Sequence, residues 1–398
     1  MKKFLLSTAL ATMVAGSAFA GGHADVKIGV LLGFTGPIES MTPDMSDGAA
    51  LAVKEVSDSG KLLGGKSVEI IKGDSTCIDS AAATAAAESL ITSDNVNAIV
   101  GADCSGVTIA VTNNVVVPNG VAMISPSATS PALTTIEDNG LFFRTAPSDA
   151  RQGQVLSDVL ADRGITNVAV TYTNNDYGKG LADSFQAAFE AAGGTVTLSA
   201  PHEDGKGDYS AEVAALSASG GEELAVFGYL DQGGRGIIQA ALDAGAYDRF
   251  ILADGMTGQP LIDAIGADEM AGSFGTLPGS ESAGAKGYIS FAAENGVNGE
   301  APFGGESYDA AALLMLAMQA AGSADRAGIA AQVMGVANAP GEKIYPGELA
   351  KGLEILANGG EVDYEGATNV TFTEVGEAAG SYKELEIKDG NFETVRIR

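Results

Sequence analysis

The chain has 398 residues, with 22 Lys and Arg against 51 Asp and Glu, and a formal net charge of −29 at pH 7. With no basic stripe to displace counterions from phosphates, this balance argues against nucleic-acid binding and against docking on anionic lipid. Two histidines and two cysteines are too few for a His/Cys zinc site or a histidine-based triad, and only His202 is left to carry imidazole chemistry.

At the start of the chain, Met1-Lys2-Lys3 is a positive n-region and residues 4–15 are an apolar run too short to span a bilayer. Ala18-Phe19-Ala20 is a small-x-small cleavage site, so residues 1–20 are expected to be a signal peptide and the mature protein to be exported. In an oxidising compartment a single cysteine pair defaults to a disulfide, here Cys77–Cys104.

From residue 26 onward, short apolar β-branched runs alternate with Ala-rich amphipathic ones. Strands are predicted at 26–34, 68–73, 96–100, 121–125, 168–172, 196–199, 224–229 and 250–253. Helices are predicted at 46–57, 80–92, 150–163, 180–192, 209–216 and 236–244. Several strand runs lack polar alternation, as strands buried on both faces of a parallel sheet do. The class is therefore α/β, with mainly parallel sheets covered by helices on both faces. About ten such units exceed one open sheet, and two lobes are expected, with crossovers at 144–147 and 276–278. Residues 310–321 form the most apolar helical stretch, interrupted by Gln319 and Gly322, and residues 337–360 read as an insertion near the end of a lobe.

Gly60-Lys61-Leu62-Leu63-Gly64-Gly65-Lys66-Ser67 matches the phosphate-loop pattern letter for letter. A phosphate cradle needs a strand before it and a helix after it; here the order is reversed, so the segment reads as a helix-to-strand turn and not as an ATPase motif. No G-x-S-x-G or H-E-x-x-H motif is present. More informative are two junctions where a parallel strand gives way to a helix, since such ends gather ligands. One is Gly101-Ala102-Asp103-Cys104-Ser105-Gly106, the other Ser127-Ala128-Thr129. A carboxylate between them would meet the hydroxyls of Ser105 and Thr129 and nearby backbone amides, although each hydroxyl alone also reads as an N-cap.

Taken together, these segments resemble the Leu/Ile/Val-binding proteins, periplasmic receptors of branched-chain amino-acid ABC transporters. The similarity rests on Phe34-Thr35-Gly36-Pro37, the cysteine pair, Cys104-Ser105, residues 124–131, Phe143-Arg144-Thr145, Asp176-Tyr177-Gly178-Lys179-Gly180, Phe227-Gly228-Tyr229 and Leu252-Ala253-Asp254-Gly255, all in register. The resemblance implies a two-lobed type I periplasmic-binding-protein fold with three hinge crossovers. Residues 21–145 plus about 277–362 would form lobe one, and 146–276 plus about 363–398 lobe two. It implies that Ser105, Thr129 and the backbone of Ser127 and Ala128 hold the ligand's amino-acid group, with Asp254 pairing its ammonium where a glutamate is familiar. Tyr177, Tyr229 and Phe303 would supply aromatic walls, and Met41 stands where a tyrosine is usual, leaving that wall adaptable. The implied protein is a monomer that needs no cofactor, catalyses nothing, closes over a small amino acid, and serves an inner-membrane ABC permease with its ATPase subunits. A ligand sensor of the same fold, or a carrier of an amide, urea or organic acid, would use the same frame. A secreted α/β hydrolase would need His202 as its base, and Pro201-His202-Glu203-Asp204-Gly205 reads as an exposed acidic turn.

Overall fold

The computed structural model describes residues 25–398, and the expected signal peptide lies outside the described residues. Five strands make the first sheet: β1 (Val26–Leu32), β2 (Val68–Asp74), β3 (Ala98–Gly101), β4 (Met123–Ser125) and β5 (Phe142–Arg144), in the order β2-β1-β3-β4-β5. All neighbours are parallel. The apolar runs of β1 and β3 are buried along almost their whole length, because helices cover both faces.

The second sheet contains β6 (Asn167–Thr173), β7 (Thr195–His202), β8 (Glu223–Phe227), β9 (Phe250–Leu252) and β10 (Phe274–Pro278), which are parallel where they pair. A small two-stranded sheet of β11 (Glu342–Ile344) and β12 (Val362–Tyr364) follows. The chain then returns to the second sheet as β13 (Tyr382–Lys388) and β14 (Asn391–Ile397), giving the order β14-β13-β10-β9-β8-β6-β7 with β13 and β14 antiparallel. The chain thus passes between the sheets three times: after β5, after β10 and after β12.

Local chemistry sets the helix starts that matter for the site. The helix Thr42–Ser59 begins four residues earlier than its apolar pattern suggests, because Pro43 fits the first turn, where no N–H is needed. Asn175 caps the helix Asp176–Ala191 by accepting from the amides of Tyr177 and Gly178, and Ser148 caps Asp149–Asp162 by accepting from Ala150. The helix Gly304–Ala321 is buried all round and packs along Thr42–Ser59, as an evenly apolar helix must. Among the described residues, no helix is long and apolar enough to cross a membrane.

The phosphate-loop lookalike forms a turn: Gly60 closes a helix in the left-handed conformation, and β2 follows. Residues 276–278, expected as a connector, are the end of strand β10. The insertion at 337–360 holds β11 and the helix Leu349–Ala357.

Cys77 and Cys104 are bonded, with Cα atoms 5.1 Å apart, and tie the loop after β2 to the end of β3. The closed loop of about 28 residues corresponds to about 3.5 kcal/mol of denatured-state entropy. Replacing both cysteines with serine is expected to cost about 2–4 kcal/mol in chemical denaturation, and an unchanged midpoint would contradict this.

Candidate functional site

The C-terminal ends of parallel strands from both sheets converge on one narrow, partly open space. Met41, Ser105, Ser127, Tyr177, Tyr229, Asp254 and Phe303 lie on its wall. Ala128 and Thr129 are fully buried but are not on the wall. The wall also includes Ile38, Met45, Asp103, Cys104 and Gly255, which the sequence did not single out as ligand contacts.

On the first-sheet side, β3 ends at Gly101 with φ +136°, where a Cβ would sit 2.2 Å from the Leu31 carbonyl oxygen. Only glycine fits that turn. It delivers Asp103, whose carboxylate accepts from the Gly33 amide, the Ser75 hydroxyl at 2.7 Å and the Cys104 amide at 2.9 Å. Burial raises the Asp103 pKa, and these hydrogen bonds oppose the rise. Ser105 Oγ accepts from the Ser130 amide at 3.0 Å, and Ser127 Oγ donates to the Asp103 carbonyl at 3.0 Å, so the two junctions are stitched together. Met41 and Met45, one helical turn apart, present flexible thioethers. Phe303 precedes the helix Gly304–Ala321 with φ +60°, an uncommon backbone conformation for a bulky residue.

On the second-sheet side, Tyr177 and Tyr229 stack with ring centroids 5.3 Å apart. Tyr177 donates its hydroxyl to Asp254 Oδ1 at 2.7 Å, and its oxygen accepts from the Gly255 amide at 3.2 Å. Asn175 Nδ2 donates to the Tyr229 hydroxyl at 3.3 Å. Asp254 follows β9 and is only 2% exposed. Its burial raises the carboxyl pKa, and the Tyr177 hydrogen bond resists the rise. Both tyrosines are pushed well above the usual phenol range by burial first and then by nearby carboxylates. Asp103 and Asp254 are the charged residues on the wall; among the described residues it carries no Lys, Arg or His.

The expectation for His202 is corrected. The residue ends β7, is 1% exposed, and its Nδ1 lies 2.9 Å from the Thr171 hydroxyl. Burial pushes its pKa down to about 4. It is not on the cavity wall. The three polar residues 202–204 looked like a turn, but the strand runs on to His202.

Two contacts join the rims. The Asp231 amide donates to the Pro37 carbonyl at 3.0 Å, and Asp231 Oδ2 accepts from the Ser40 amide at 2.8 Å. Separately, Ser130 Oγ donates to the Asp176 carbonyl at 2.9 Å.

A sequence model described as periplasmic binding protein matches residues 25–346. The chain belongs to the periplasmic binding protein family. Among periplasmic binding proteins it is similar to the Leu/Ile/Val-binding protein BraC3 of Rhizobium johnstonii, 32% identical over 81% of this chain and 87% of that one. The branched-chain amino-acid transporter substrate-binding protein LivJ of Streptococcus pneumoniae, solved with isoleucine, superposes with a TM-score of 0.75 at 22% identity, covering 94% of this chain and 99% of the other. An ABC-transporter solute-binding protein of R. palustris, solved with 4-hydroxybenzoate, gives a TM-score of 0.73 at 19% identity, covering 94% and 96%. The type I periplasmic binding protein fold inferred from the sequence is thus the observed fold.

Proposed function

We propose that this periplasmic binding protein captures a small α-amino acid with an aliphatic side chain by closing its two sheet-bearing lobes, and delivers it to an ABC permease at the inner membrane. The observation that carries this reading is the charge of the wall: two carboxylates, an apolar and aromatic surround, and no cation. Burying an unpaired charge is costly, so the partner of Asp254 is a cationic group on the ligand. Asp103 is already saturated by three donors and serves as scaffold. The ligand carboxylate falls to the Ser105 hydroxyl and to the backbone around Ser127 and Thr129, which are neutral donors. The remaining wall of Ile38, Met41, Met45 and Phe303 suits a short branched aliphatic group. In this reading the protein acts as a monomer, exported through its N-terminal signal segment, and performs no catalysis and needs no cofactor.

The decisive comparison uses one carbon skeleton with and without nitrogen. Protein unfolded to strip bound ligand and then refolded is expected to be stabilised by leucine, isoleucine or valine, by about 2.7 kcal/mol at 100 times the dissociation constant. 4-Methylpentanoate, which lacks the amine, and 4-hydroxybenzoate are expected to give no shift. Stabilisation by either acid without an amine would overturn the reading.

The rim contacts give a kinetic prediction. Asp231 touches no wall residue through a hydrogen bond, yet it joins the two sides. Asp231→Ala removes one charge-assisted hydrogen bond, worth about 1 kcal/mol at this half-exposed position. It is expected to weaken binding about fivefold through faster release, with the association rate nearly unchanged, as stopped-flow measurements would read.

A further inference from the structure

Asp149 opens the helix Asp149–Asp162, directly after its cap Ser148. It is fully buried, and neither carboxylate oxygen has a hydrogen-bond partner among the described residues. Thr129 Oγ1 and Gln152 Oε1, the latter one turn further along the same helix, are likewise buried and unpartnered. A charged group left this bare is unusual, since buried polar atoms are nearly always paired.

Charged and titratable groups reach Asp149 from four other elements. Asp254 comes from the turn after β9, Arg144 from β5, Tyr177 from the helix Asp176–Ala191 and Tyr382 from β13. Arg144 is already engaged: its guanidinium donates to the carbonyls of Ala128 and Ser130, to Thr134 Oγ1 and to the Glu377 carboxylate. The two tyrosines are neutral. Arg151, on the same helix as Asp149, is exposed to solvent, so Asp149 and Asp254 are two buried carboxylates with no buried cation left uncommitted for them, and such pairs do not both ionise. Burial first, and then the Asp254 charge, raise the Asp149 pKa well above the carboxylate range; the Arg144 charge and the Thr129 hydroxyl, close by but short of hydrogen-bonding geometry, oppose this.

We propose that Asp149 and Asp254 work as one unit that holds a proton when no ligand is bound and gives it up to solvent when the ligand's ammonium arrives. This deepens the amino-acid reading above and rests on it. The exchange balances: the ligand enters as an ammonium ion and leaves its own protons in place. One carboxyl O–H bond breaks, the proton goes to buffer, and the carboxylate formed accepts a hydrogen bond from the ammonium. Asp254 makes the contact; Asp149, which is not on the wall, is a positioning residue that fixes how many protons the ligand must displace.

Calorimetry of L-leucine binding in two buffers of different ionisation enthalpy counts the protons. At pH 6 the intact protein is expected to release between about half and one proton per leucine, and its affinity to fall up to tenfold for each pH unit below the titration of the pair. Asp149→Asn leaves Asp254 as the remaining carboxyl, which burial alone holds up at about 6, so proton release should fall without vanishing and the pH profile become shallower. At pH 8 the variant should bind more weakly than the parent, and the two profiles should converge or cross as pH falls. A residue that merely braced the fold would lower affinity equally at every pH. Leucine binding without proton release, or release undiminished in Asp149→Asn, overturns the proposal while leaving the amino-acid reading intact. Difference infrared spectra of the ligand-free proteins at pH 6 test it independently of any ligand: buried acids such as Glu306 contribute equally to both, so the parent should show a stronger protonated-carboxyl band than the variant, and equal bands overturn the proposal. Should no amino acid bind, the reading of function fails, and the infrared result still decides the pair.

Discussion

Asp254→Asn is expected to weaken amino-acid binding by at least tenfold and, in the same protein, to raise the stability of the ligand-free form. The two effects have one cause. In the proposed complex the carboxylate pairs the ligand's ammonium, and truncating one partner of a buried, hydrogen-bonded charge pair typically costs about 2–5 kcal/mol. Without ligand, the same carboxylate is 2% exposed beside a second buried acid, and burial has raised its pKa. A raised folded-state pKa means that the group's contribution to stability is fully present below the carboxylate range of the unfolded chain. It is lost as pH rises through the folded value. Asparagine keeps an oxygen to accept from Tyr177 and carries no charge. The stabilisation by Asp254→Asn should therefore be small near pH 4.5 and reach about 1–2 kcal/mol by pH 8. Calorimetric titration with leucine and melting curves across that range check both signs. An unchanged dissociation constant would remove Asp254 from the site.

The second large effect is structural. Arg144, at the end of β5 where the chain first leaves the first sheet, is 1% exposed. Its Nη1 donates to the carbonyls of Ala128 at 3.1 Å and Ser130 at 2.9 Å, and its Nη2 to Thr134 Oγ1 at 2.9 Å and to Glu377 at 2.5 Å. Glu377 lies in the third crossing, so one guanidinium ties a site loop to two chain crossings. Arg144→Met leaves two buried carbonyls and a largely buried carboxylate without their donor. Removal of one partner of a buried ion pair costs about 3–5 kcal/mol, and the partial exposure of Glu377 places this case near the lower bound. Denaturation should show a loss of about 3 kcal/mol, with binding weakened as well because Ala128 and Ser130, on either side of Thr129, lose the donor to their carbonyls. Glu377→Gln, which keeps an acceptor, should cost less than half as much; equal losses would mean that the ion pair, not the carbonyls, dominates.

How far the sequence could be read depended on the kind of signal. Strands buried on both faces, such as β1 and β8, carry uninterrupted apolar runs and were legible with nearly the right bounds. β13 and β14 were not: their residues alternate with charges such as Lys383, Glu384 and Arg396, because an antiparallel ribbon at a sheet edge keeps one side wet. Their ion pairs, such as Arg398 with Glu384, depend on partners that the sequence does not place together. At the site, the residues carrying the family resemblance were found by motif, and seven of the nine reach the cavity wall. Asp103 lies in the strand-to-helix junction Gly101–Gly106 and Met45 one turn beyond Met41, so a helical-face argument would have reached Met45. Asp149 left no local trace: its importance comes from the carboxylate across from it, more than a hundred residues away in the chain. His202 shows the opposite limit, since three polar letters in a row concealed a strand end.

The two rim contacts bear on what this architecture can become. Both use main-chain atoms on one or both sides: the carbonyl of Pro37 and the amides of Ser40 and Asp231. Neither engages the side chains that face the interior, such as Met41, Met45 and Phe303. Under the proposed function, exchanging those interior side chains would alter which cargo is accepted and leave the seal itself untouched. Descendants of such a scaffold can therefore switch diets without having to reinvent the way they shut.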